Sequence, residues 1–235
     1  MKKFTLLMIT ISVVIITANA QATFGPVLGL NLANLSKGDA DEAPEMKIGF
    51  HIGGKAAFGI SDNFTISPEL LFSMKGAKQT VPFADIQIED IGGVIFTTTT
   101  TGEGDASLSL NYIEIPIWAL YKLESGLNFG LAPYVGILAG VKNEVEGTAT
   151  VSVHESQNNT TTTTTVSQSI ESTETEGYSG VDFGVGLGIG YMMESGFGVQ
   201  AHYKLGLGDI FEENEGDAIS NRVIGLSLSY MFGNN

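Results

Sequence analysis

The sequence predicts an all-β fold, an eight-stranded antiparallel up-and-down transmembrane β-barrel with long, partly hairpin-forming extracellular loops. Three observations predict it. Apolar residues recur with a period of two in eight segments, and the connections between those segments alternate between short and long. Aromatic residues also gather near the short-connection ends of the apolar faces, as rings do at a membrane interface.

The period is plainest in the last three segments. Over 181–193, Val181, Phe183, Val185, Leu187, Ile189 and Tyr191 alternate with Asp182, Gly184, Gly186, Gly188 and Gly190. Over 197–207, the apolar positions alternate with Gln200, His202 and Lys204. Over 222–232, Ile224, Leu226, Leu228, Tyr230 and Phe232 oppose Val223, Gly225, Ser227 and Ser229. Successive side chains point to opposite faces only along a strand, so this spacing excludes helices. The same parity runs through 24–33, 47–60, 64–75, 111–123 and 127–141.

Three connections are short, at 61–63, 124–126 and 194–196, and four are long, at 34–46, 76–110, 142–180 and 208–221. Short turns on one side and long loops on the other are the arrangement of bacterial outer-membrane barrels, with both termini on the periplasmic side. The polar face, rich in glycine and small residues, suits a crowded barrel interior better than a soluble exterior. The opposite face carries Phe24, Phe58, Phe64, Tyr121, Phe129, Tyr191, Phe197, and Tyr230 with Phe232 near the short turns. Rings at one height indicate lipid outside, whereas the core of a soluble barrel would scatter them.

Two long connections carry hairpin signals of their own. Asp85–Asp90 and Val94–Thr101 flank Gly92-Gly93, and Thr148–His154 and Thr160–Ile170 flank Asn158-Asn159. Such dipeptides favour tight hairpin turns, so strands three to six are expected to protrude beyond the bilayer. The threonine run 160–165 is compatible with a strand because threonine is β-branched.

The first twenty residues read as a cleaved signal peptide, with Lys2 and Lys3, an apolar stretch from Phe4 to Thr17, and Ala18-Asn19-Ala20. Residues 21–235 then form one barrel domain. The chain has no cysteine, which removes disulfides, thiol catalysis and a lipid-modified cysteine anchor. Losing Lys2 and Lys3 takes the net charge from −15 to −17, so nucleic acid is excluded as a partner on electrostatic grounds.

Two segments resemble a known family. Pro68-Glu69-Leu70-Leu71-Phe72-Ser73-Met74-Lys75-Gly76 and Asn111-Tyr112-Ile113-Glu114-Ile115-Pro116 are similar to segments of the PorT-like outer-membrane β-barrel proteins, as is the opening Phe24–Asn31. The resemblance spans residues 21–235 in strand order. It implies the same barrel fold and location and says little about activity.

An eight-stranded interior is only wide enough for side chains, which argues against a general porin. The parity assigns to it His51, Lys55, Glu69, Lys75, Glu114, Lys122, Tyr134, Asp182, Gln200, His202, Lys204 and Arg222. Placing Ile60 opposite Phe64 across the first short turn also sets Lys55 opposite Glu69, predicting a buried ion pair. The polar cluster Lys55, Glu69, Glu114, Asp182, His202, Lys204 and Arg222 reads as a self-neutralising, structural filling. The functional alternative is a gated ion path or a pH-sensitive plug using His51 and His202.

Twenty of the 26 acidic residues fall in the four long connections. They read as a solvated rim, or as a surface that meets anionic lipopolysaccharide through divalent cations or binds a basic protein surface. Residues 209–217 lack EF-hand spacing, and no metal, cofactor or catalytic site is expected. His154-Glu155-Ser156 is contiguous, but neighbours along a strand face opposite ways. The leading reading is a non-enzymatic, monomeric envelope barrel in contact with outer-membrane lipid. A narrow selective channel comes second, and a lipid- or peptide-processing enzyme third.

Overall fold

A computed structural model describes residues 22–36, 44–213 and 216–233. The expected signal peptide, Asp39, Asp41 and Glu42 of the first long connection, and Glu215 of the fourth lie outside the described residues.

The described residues form nine strands and no helix. They are β1 (Ala22–Leu35), β2 (Glu45–Gly59), β3 (Phe64–Ile91), β4 (Val94–Lys122), β5 (Leu127–Glu155), β6 (Thr160–Ser172), β7 (Val181–Met192), β8 (Phe197–Gly206) and β9 (Asn221–Tyr230). Consecutive strands pair antiparallel from β1 to β6 and from β7 to β9, β5 also pairs with β7, and β1 pairs with β9. Eight strands, all but β6, therefore close into a ring with no free edge.

Two of the short turns close on a glycine with positive φ, Gly126 at 90° and Gly196 at 85°. That region is costly for other residues and is the usual last position of a three-residue hairpin. In both turns the hairpin closes by main-chain hydrogen bonds, Leu123 N–H to Leu127 O at 2.8 Å and Met193 N–H to Phe197 O at 2.8 Å.

Strands β3, β4 and β5 run 28, 29 and 29 residues, well past the ring. Their far halves and β6 make a four-stranded protruding sheet, with hairpin turns at Gly92-Gly93 and at residues 156–159. The expectation for the sixth barrel strand is corrected here. Thr160–Ser172 does not run on into the barrel but forms the separate β6, while β7 starts afresh at Val181. After β6 ends at Ser172 the chain turns at Gly177, with φ 83°, and Tyr178 bridges Phe211.

Parity changes once in β5. Asn111 pairs with Gly140 but Tyr112 with Leu138, so Ala139 is an extra residue on β5. Such a bulge flips the faces that follow it: Ala132 and Tyr134 are buried before it and Val141 after it. On the outside of the ring, exposed Leu28, Ile52, Leu70, Ile117, Leu131, Leu187 and Leu226 form an apolar belt. Eight rings of the aromatic row at the short-turn end are also exposed, from Phe24 at 65% to Phe64 at 37%, and Phe58 is half-buried.

Candidate functional site

The ring encloses a filled polar interior. At the short-turn mouth Lys55 pairs with Glu69 in register, with Nζ and Oε1 3.3 Å apart. Lys122 stands at the same mouth beside a small cleft of about 120 Å³ shared with Lys55, Asn128 and Met231.

Deeper in, His51 Nδ1 meets Asn31 Oδ1 at 2.8 Å, and its Nε2 meets Ser227 Oγ at 2.8 Å. The Ser227 hydroxyl also lies 3.5 Å from His202 Nδ1, and the two imidazole rings are 5.6 Å apart. Trp118 packs on His202 with ring centroids 5.9 Å apart. Glycines make the room. A Cβ added at Gly29 would fall 2.4 Å from the His51 ring, one at Gly225 2.1 Å from His202, and one at Gly188 3.1 Å from Trp118. The glycine row of β7 is therefore the small half of a large-to-small packing across the lumen.

The next layer holds four charges from four strands. Lys75 Nζ lies 2.5 Å from Glu114 Oε2 and 2.9 Å from Asp182 Oδ2, and Lys204 Nζ donates to Glu114 Oε1. Asn221 Nδ2 donates to Asp182 Oδ2 at 3.1 Å. The Lys75 ammonium also sits 4.4 Å from the centre of the Tyr134 ring. Two ammoniums and two carboxylates cancel, as charges cut off from water must. They tie β3 and β4 to β7 and β8 across the lumen.

The long-connection end is apolar. Leu35, Ala77, Leu110, Tyr112 and Val141 form a buried cluster, and Ile210 from the β8–β9 connection plugs it at 2% exposure. Tyr178 and Phe211 lie over the plug, with rings 5.4 Å apart. Lys47, just outside this cluster, donates to Ser107 and Ser109, each at 2.6 Å.

Among the interior residues the parity assigns, the structure brings Lys75, Glu114, Tyr134, Asp182 and Lys204 into one network and Lys55 and Glu69 into another. His51, Gln200 and His202 are buried near the imidazole pair. Arg222 is a correction. It shares parity with exposed Ile224, Leu226 and Leu228, not with buried Val223, so its side chain lies on the outer wall. Trp118, Tyr112, Lys47, Asn31 and Asn221 face the interior without having been assigned to it. The first two could have been found, because they share the parity of Glu114 along β4.

Ser227, His51 and Asn31 have the contacts of a nucleophile, a base and an orienting amide, in that order. All three are buried, at 8%, 2% and 2% exposure, and Trp118 and the charged layer close off the lumen around them. His154 lies far away on the protruding sheet, where its Nδ1 meets Thr161 Oγ1 at 3.1 Å. Among the described residues no group of three or more His, Asp or Glu side chains is placed to hold a metal ion.

The sequence matches the family described as outer membrane protein beta-barrel domain over residues 18–212. The chain belongs to that family. It is a bacterial outer-membrane β-barrel protein, and its apolar belt is the surface that crosses the membrane. Among solved structures, the barrel resembles Ail, the attachment invasion locus protein of Yersinia pestis, with a TM-score of 0.41 and 11% identity, covering 90% of this chain and 99% of that one. It also resembles Neisserial surface protein A, with a TM-score of 0.36 and 12% identity over 90% of this chain and 99% of that one. A third resemblance is to the COG4313 outer membrane channel of Pseudomonas putida F1, with a TM-score of 0.30 and 8% identity over 90% and 95%. No curated protein sequence matches the chain.

Proposed function

We propose that this outer-membrane barrel is non-enzymatic and works at the cell surface through its protruding sheet. In this reading the first twenty residues are a cleaved signal peptide, the short turns and both termini face the periplasm, and the barrel is a monomer. The observation that carries it is the build of the sheet. Among the described residues β6 pairs only with β5, and β3 has no second partner beyond Lys78, so two strand edges are unpaired there. One face of the sheet offers exposed Val81, Phe83, Val145, Val166 and Ile170, and the other carries Glu103, Asp105, Glu144 and Glu146. Unpaired edges and an apolar face are what sheets use to hold partners. The acidic face suits a basic protein surface, or lipopolysaccharide bridged by divalent cations.

The PorT-like assignment belongs to the same proposal. Its two longer quoted segments supply Glu69, Lys75 and Glu114, three members of the interior ion networks, so the resemblance is carried by residues with a structural role.

The test is retention of purified envelope components by the isolated barrel, with and without calcium. A variant lacking residues 79–106 and 144–172 should keep the barrel and lose the retention. Equal retention by this shaved barrel would overturn the proposal.

The channel reading predicts steady, ion-selective openings in planar bilayers. Fully buried Trp118, Tyr112, Lys75 and Ile210 leave no room for them, so we expect none. The Asn31–His51–Ser227 contacts favour a hydrolase as the remaining alternative. Labelling by a fluorophosphonate that Ser227→Ala abolishes would establish that reading, and we expect no labelling.

A further inference from the structure

We propose that the cleft around Arg222, on the lipid-facing wall of the barrel near its long-connection end, binds the phosphate of a membrane glycolipid. The choice of a glycolipid, and hence of the outer leaflet, rests on the orientation proposed above. The phosphate chemistry does not.

Arg222 is the only arginine in the chain. As the second residue of β9 it shares parity with Ile224, Leu226, Leu228 and Tyr230, which are 47%, 51%, 37% and 41% exposed to the membrane side. A cation on this wall is costly at the bilayer midplane and tolerated near the interface. Eight residues separate it from Tyr230 of the aromatic row. At about 3.3 Å per residue and a tilt of roughly 40°, that is a rise of about 20 Å in an apolar band about 25 Å tall. The Arg222 backbone therefore lies about 5 Å short of the far end of the band, and its long side chain reaches on to the headgroup level, where a charge is tolerated and anionic groups are at hand.

Its own partners leave it unspent. Among the described residues Arg222 makes no ion pair, and its one hydrogen bond runs from Nη1 to Gly206 O at 3.4 Å. A guanidinium carries five N–H donors in a planar fork. With no carboxylate on it among the described residues, the guanidinium keeps donors for an external anion. The fork matches two phosphate oxygens better than an ammonium does.

The surroundings fit a headgroup attached to apolar chains. Arg222 lines a cleft of about 420 Å³ with the apolar residues Leu32, Met46 and Ile224 and the polar residues Asn34, Ser36 and Tyr203. Tyr203 is 42% exposed, and a phenol with its ring in lipid and its hydroxyl at the headgroups is stable at that height. Leu32 and Ile224, paired one step nearer the belt than Asn34 and Arg222, would take an acyl chain, while Asn34 and Ser36 bring amide and hydroxyl groups to the phosphate and sugar.

The test measures the unfolding temperature of the full barrel in neutral detergent, followed by Trp118 emission, with diphosphorylated or dephosphorylated lipid A. The wild-type barrel should be stabilised by several degrees more by the phosphorylated form, and inorganic phosphate should not reproduce the shift. Arg222→Gln should abolish the phosphate-dependent difference, while Lys122→Gln at the opposite mouth should preserve it. Arg222→Lys keeps the charge but loses the fork, and should weaken binding several-fold. It carries the test if the glutamine variant fails to fold. An undiminished phosphate-dependent shift in the Arg222 variants, or equal shifts with the two lipids, would overturn the site. A shift with phosphatidylglycerol but not with lipid A would keep the phosphate site and overturn the proposed orientation instead.

Discussion

Three strands of this barrel live in two environments, and the same alternation means different things in each. Within the ring, the inward parity of β3 and β4 carries Leu71, Ser73, Lys75, Leu110, Tyr112 and Glu114, all buried. Beyond it the same parity carries Val81, Phe83, Gly104 and Ala106, and the first two are 46% and 41% exposed. Closure of the sheet makes the difference. A closed ring has an inside, where charges must be paired and volumes matched, whereas an open sheet has two wet faces and two edges. Mutations should therefore act globally in the ring and locally in the sheet.

The largest effect is expected from Glu114→Ala. The substitution leaves Lys75 with Asp182 alone and Lys204 without its acid in a dry layer. Removing one partner of a buried pair typically costs about 3–5 kcal/mol. Urea unfolding in detergent micelles should show this loss, and the band of the folded barrel should persist to lower temperature on a gel. An unchanged midpoint would mean that the cross-lumen network contributes nothing net to stability.

Glu69→Ala tests the gradient along the lumen. The Lys55–Glu69 pair is 3.3 Å long and borders the cleft at the short-turn mouth, so a stranded Lys55 can reach water. A lost hydrogen bond to a charged group costs about 1.5–3 kcal/mol. The loss should be smaller than for Glu114→Ala, and a larger one would reverse the order assigned to the two layers.

The pairing of Lys55 with Glu69 was legible from turn geometry, because the register across a tight hairpin is set by its loop length. The hairpin tips were legible from Gly92-Gly93 and Asn158-Asn159 for the same local reason. For Arg222 the charge and the alternation of β9 point to opposite faces, and the alternation that runs from Ile224 onward prevails. Trp118 and Tyr112 share the parity of Glu114, but nothing local in the sequence shows the space that such bulky rings need inside. Only the ring shows that they fill the space opposite Gly186, Gly188 and Gly136. The bulge at Ala139 and the plug formed by Ile210 leave no local signal, since both depend on partners distant in sequence.

In the protruding sheet the comparison predicts the opposite behaviour. Thr164→Pro removes a donor from β6, opposite Val151 and outside the ring. Proline is tolerated on an edge strand, so the midpoint of barrel unfolding should move by less than about 0.5 kcal/mol. The change should appear only as faster proteolysis between residues 156 and 172. A global loss of stability would mean that the sheet and the ring fold as one unit.

The smallest effect is expected from pH at the base of that sheet. Lys142 contacts Glu144 at 2.6 Å and Glu171 at 3.2 Å, all in solvent. Its hydrogen bond holds the Glu144 carboxyl below the usual range, while hydrogen bonds to Glu144 and Glu171 raise the Lys142 ammonium. A depressed carboxylate contributes above its unfolded pKa, about 4.3, and that contribution is lost as pH falls through the folded value. A raised lysine contributes below its unfolded pKa, about 10.4, and loses this as pH rises through its folded value. Amide exchange at Asn143–Val145 and Glu171, corrected for intrinsic rates, should be slowest in the window between those limits and should quicken below about pH 4. Exposed pairs are weak, so the change should stay within the sheet while the amides of the ring, which face a lumen shut from water, hold their protection. Uniform loss of protection in both regions at low pH would erase the distinction between a closed interior and an open sheet.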